Sequence, residues 1–167
     1  MRNIVYGLAV ACILLLQTMP AAAESALAYT QMKVQIVRVQ IQENVSLDDA
    51  VESLKLRANQ HNLKFVGSSP LYKEVEALTG KPARRMEIFS FCDGLVAQQM
   101  ITADPAMISF MPCRISLVED AQGKRWIISM MMDSKTIQAL PADVRGKAQR
   151  IMDVMKDVML AASRGDL

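Results

Sequence analysis

The spacing of apolar residues along this chain changes period several times, and each change predicts an element. From Met32 to Ile41, β-branched residues alternate with Lys33, Gln35, Arg38 and Gln40, the two-residue period of a half-buried strand. Two apolar residues adjoin at Ile36 and Val37, a phase shift that predicts a bulge. Ser46 then opens S-L-D-D, in which the serine can cap a helix while Asp48 and Asp49 oppose the positive end of its dipole. Leu47, Ala50, Val51, Leu54 and Ala58 follow at three- and four-residue spacing, so this helix should reach Gln60 with one face buried.

Further along, Leu63 to Gly67 reads as a short strand, and a weaker helical segment runs from Ser68-Ser69-Pro70 through Leu78 until Gly80 and Pro82 end it. Arg85 to Phe91 is the next strand, with Met86, Ile88 and Ser90 opposite Glu87, Phe89 and Phe91. Asp93 caps a helix from Gly94 to Thr102, and Asp104-Pro105 makes a turn. Two strands follow, Ile108 to Glu119 interrupted by Pro112 and Lys124 to Met132, joined by the hairpin loop Asp120-Ala121-Gln122-Gly123. Both faces of the second are apolar, which predicts a central strand or one at a partner interface. Pro141 introduces a last helix, Ala142 to Ala162, whose Val144, Ala148, Ile151, Met152, Met155, Val158 and Met159 form one stripe. The order strand, helix, four strands, long helix predicts an α+β fold. Its sheet should be curved, mainly antiparallel and packed on one face by the last helix.

The first 23 residues follow another rule. Arg2 precedes an apolar run from Ile4 to Leu16, and small residues Ala21-Ala22-Ala23 come after Pro20, the layout of a secretory signal peptide cleaved after Ala23. The run falls short of the roughly 20 residues needed to span a bilayer, and no later segment reaches that length. We therefore expect a single domain over residues 30–163, exported to a bacterial periplasm or secreted, with no membrane span after cleavage. Losing Arg2 leaves 18 basic against 17 acidic residues. Such a near-neutral balance argues against nucleic-acid binding, which needs excess cations to displace phosphate counterions.

Sulfur is where the composition stands out: 13 methionines and three cysteines, with only 5% aromatic residues. Cys12, Met1 and Met19 lie in the leader, so Cys92 and Cys113 are the cysteines of the mature chain. Even parity in an oxidising compartment suggests a disulfide between them. It would close a loop of about 20 residues and contribute roughly 3 kcal/mol. The sharper alternative is a redox pair, because Cys92 adjoins a helix N-terminus and Arg114 adjoins Cys113, two influences that favour thiolate. With Met111 or Met130 the same thiols would offer soft ligands for Cu(I), a metal set of Cys92, Cys113 and Met111. Asp93, Met111, Arg114 and Met130 are candidate ligand-binding residues around them.

The remaining motifs are ordinary. His61 stands alone at the end of a helix, where a cation offsets the dipole. Lys81, Arg84 and Arg85 form a small basic cluster that could hold an anion. No residue set calls for a catalytic role, and no cofactor is implied.

The stretches F-S-F-C-D at Phe89 to Asp93, D-P at Asp104-Pro105, M-P-C-R-I at Met111 to Ile115 and V-E-D-x-x-G-K at Val118 to Lys124 together resemble the domain of unknown function family 302, DUF302. The resemblance implies a fold like that of the TATA-binding-protein class, a tendency to form homodimers and frequent placement in exported bacterial proteins. It brings no activity. Members outside the exported subset often carry a histidine after the second strand, and Ser69 to Glu76 has none. The expected role is that of a non-enzymatic module binding a small ligand or a periplasmic partner protein, with thiol redox or copper handling through Cys92 and Cys113 as the alternative.

Overall fold

A computed structural model describes residue 27 and residues 29–166. The expected signal peptide lies outside the described residues. Strand β1 (Val34–Gln40) is followed by α1 (Leu47–Gln60), β2 (Lys64–Ser69) and α2 (Leu71–Thr79). Next come β3 (Met86–Cys92), α3 (Gly94–Ala103), a 3-10 helix (Pro105–Phe110) and the hairpin β4 (Cys113–Glu119) and β5 (Arg125–Met132). Helices α4 (Ser134–Ala139) and α5 (Ala142–Arg164) complete the domain. The architecture is α+β, as the periodicities predicted.

The five strands make one antiparallel sheet in the order β1-β5-β4-β3-β2. Alternation sorts its side chains into two faces. On the inner face, Val37, Ser129, Ile115 and Phe89 form one cross-strand row, and Val39, Ile127, Leu117 and Glu87 form the next. Helices α1 and α5 pack on each other and close this side, burying Leu54, Ala58, Met155 and Val158 with the inner face. Two polar groups in these rows have partners, as burial demands. The Ser129 hydroxyl donates to the Arg114 carbonyl at 2.7 Å. Glu87 Oε2 accepts from Arg85 Nε at 3.1 Å and from Arg85 Nη2 at 2.9 Å. The outer face carries Ile36, Met130, Ile128, Val118 and Ile88, where Ile36 is 66% and Met130 41% exposed.

Three local expectations need correction. No bulge interrupts β1, whose register with β5 is continuous from Val34↔Met132 to Gln40↔Trp126. As an edge strand it can send Val37 inward and Ile36 to the exposed outer face without shifting phase. The bulge lies in β2 between Phe65 and Gly67, where Gly67 adopts φ +154°, a region open to glycine.

Nor does a strand begin at Ile108. Asp104 accepts a hydrogen bond from the Ala106 N–H at 2.9 Å with Pro105 in the first position, so the chain starts a 3-10 turn that buries Met107. After the cis Met111–Pro112 peptide, β4 starts at Cys113. Helix α4 was not anticipated; Asp133 caps it, accepting from the Thr136 N–H at 2.7 Å.

Candidate functional site

At the end of β3 the chain turns directly into α3. Asp93 makes the turn, its carboxylate accepting from the Val96 N–H at 3.1 Å and so satisfying one free donor of the helix. Cys92 is thereby held at a strand-to-helix junction. Across the sheet, Phe91 pairs with Cys113, the first residue of β4. The two cysteines thus sit one residue out of step at the ends of neighbouring strands, and both line one recess.

Met100, from the inner side of α3, and Met111, from the loop before β4, line that recess too. Leu63, Val96, Ala97 and Ile151 supply the rest of an almost wholly apolar lining. The cavity measures about 30 Å³. That is room for one or two water-sized occupants, well below the several hundred cubic ångströms of an organic-ligand pocket.

Both cysteines are free thiols, so the bridge suggested by their parity is not formed. Nor is thiolate favoured here. Burial pushes the Cys113 thiol up to about 11, and the neighbouring Cys92 adds to the shift. Cys92 is raised as well, first by burial and then by the negative charge of Asp93. From sequence, the helix dipole and Arg114 are the positive influences expected to favour thiolate. In the structure the capping carboxylate stands beside Cys92, and Arg114 is an exposed residue on the outer face while Cys113 points inward. Strand alternation separates two residues that adjoin in sequence.

The other candidates divide in the same way. Asp93 does line the recess, but its carboxylate is engaged by the α3 cap and by Arg150 Nη2 at 3.4 Å. Met111 lines it as expected. Met130 does not: it projects from the outer face of β5 into a shallow groove with Val34 and Phe110. Met100 was missed, although Val96, Ala97 and Met100 share the helical spacing that marks the inward side of α3.

His61 closes α1, and its Nε2 lies 2.8 Å from Asp157 Oδ2, which Arg57 Nε also reaches at 3.2 Å. Arg85, from the basic cluster, is occupied by Glu87 and by Asp48 at 2.8 Å rather than open to an anion. Among the described residues, no group of three or more His, Cys, Asp or Glu could hold a metal ion. No helix among them is long and apolar enough to cross a membrane.

The family model for "Domain of unknown function DUF302" matches residues 37–161, which takes in β2 to β5, the last four residues of β1, both Cys92 and Cys113 and all but the last turn of α5. The chain belongs to the DUF302 family. Among solved structures, the DUF302 protein is similar to an uncharacterized conserved protein DUF302 from Bacillus stearothermophilus. The TM-score is 0.61 at 12% identity, over 76% of this chain and 97% of that one. At that identity the likeness is one of fold. No curated protein matches the chain.

Proposed function

We propose that this DUF302 protein is an exported, periplasmic, non-enzymatic binding module that holds a small soft ligand in the recess between β3, β4 and α3, and that it works as a homodimer. The observation that carries this reading is that four sulfur-bearing residues, Cys92, Cys113, Met100 and Met111, line one small apolar cavity. Polarisable sulfur surroundings favour a polarisable occupant. A binding role fits better than catalysis because both thiols are held protonated by burial, and Asp93 is already committed to Val96 and Arg150. A general base or an activated nucleophile needs the opposite arrangement. Export rests on the leader of Arg2, Ile4 to Leu16 and Ala21 to Ala23.

The test is methyl NMR of the reduced protein labelled at methionine, titrated separately with Cu(I) and with hydrogen sulfide as soft probes. Shifts confined to Met100 and Met111 are expected with at least one of them. If neither probe moves these methyls, the binding reading fails.

A further inference from the structure

We propose that the recess binds one Cu(I) ion, with Cys92 and Cys113 as its principal ligands and Met111 and Met100 as supporting thioethers. This rests on the reading of the recess as a ligand site and names its occupant. Three observations lead to it.

The first is the donor set. Two cysteines and two methionines are among the residues that line the recess, and no histidine is. Asp93, its carboxylate, is taken by a helix cap and an arginine. Sulfur-only surroundings select Cu(I) over the oxygen-seeking cations, and the lack of nitrogen and free carboxylate removes what Cu(II) prefers.

The second is size. A cavity of about 30 Å³ has room for a bare ion and is far smaller than a pocket for an organic ligand. The third is support. Cys92 ends β3, Cys113 begins β4 and Met100 lies on α3, so three of the four donors stand on regular elements whose strand register and cap are fixed. A site on such elements keeps its geometry better than one built from loops.

Coordination needs no electron transfer. Two S–H bonds give way to two S–Cu bonds, two protons pass to solvent and the copper stays monovalent.

The experiment is anaerobic competition between the intact, reduced protein and the coloured Cu(I) complex of bicinchoninate. One equivalent of Cu(I) should leave the chelator. Cys92→Ser and Cys113→Ser should each weaken uptake by roughly a hundredfold, and Met111→Leu, which keeps side-chain volume, by roughly tenfold. Thermal melting checks that each variant folds. Should Cys113→Ser not fold, X-ray absorption of the copper-loaded wild type decides, and a shell of sulfur alone is expected.

The inference is overturned if the chelator keeps its copper, if the double serine variant takes up as much as wild type, or if nitrogen or oxygen ligands appear. Hydrogen sulfide separates the two levels of argument. If it moves the Met100 and Met111 methyls while Cu(I) does not, the metal is wrong and the binding site stands. If neither does, both fall.

Discussion

Glu87 lies on the inner face of β3 among apolar neighbours, and Arg85, two residues earlier on the same side of the strand, gives its carboxylate two hydrogen bonds there. The guanidinium also reaches Asp48 at the start of α1 and stacks on Tyr72 of α2, with its centre 5.3 Å from the ring. Removing one partner of a buried pair leaves the other charge uncompensated. Arg85→Ala should therefore destabilise the fold by about 2–3 kcal/mol, below the roughly 3–5 kcal/mol for fully buried pairs, because Arg85 keeps some solvent contact. Glu87→Gln should cost less, since Arg85 keeps Asp48 as an anionic partner. Urea denaturation of the two variants checks the order.

Cys113 carries a pH signature whose sign follows from its raised pKa. The fold favours the neutral thiol, so stability is intact below the ordinary value of 9.0, falls as the unfolded thiol ionises, and levels off above about 11. The loss across that window should be of order 2 kcal/mol, after allowance for the partial exposure of the residue. It is read as the difference in urea midpoint between wild type and Cys113→Ala at pH 8 and at pH 10.5. Sequence placed these thiols near each other because each borders a recognisable element. It misjudged their charge state because neighbours in sequence, Arg114 above all, fall on opposite faces of a strand.

At the scale of elements, periodicity located all five strands and the helices α1, α2, α3 and α5. What it could not locate depended on local backbone chemistry. The 3-10 turn after Asp104 competes with a strand pattern that is equally apolar, and the cap and Pro105 decide the outcome. The bulge was sought where two apolar residues adjoin, yet an exposed edge tolerates Ile36. A bulge needs instead a residue that accepts an unusual φ, and Gly67 provides it. Gly67→Ala should lower stability by roughly 1–3 kcal/mol through backbone strain alone, because no atom lies within 4 Å of the added methyl. A thermal melt measures this, and unchanged stability would show that the backbone at Gly67 has no need of glycine.

For the whole molecule, element order predicted the α+β class but not the sheet order, in which β1, first in the chain, lies beside β5. That placement creates the outer apolar patch of Ile36, Met130 and Ile128, the surface on which the proposed homodimer would form. Sedimentation at micromolar concentration should give a dimer for wild type and a monomer for Ile36→Glu; a monomeric wild type would refute the pairing.

The same topology joins the beginning and end of the domain. The Gln42 N–H donates to the Ser163 carbonyl at 2.9 Å, and α1 is covered by α5. On the ribosome, β1 and α1 emerge first, and the elements that complete them emerge last. Until α5 is made, the inner face of the sheet lacks the helix that completes its cover, and folding cannot outrun translation. A holding chaperone, or a channel that accepts only extended chain, has the whole period of synthesis in which to engage it.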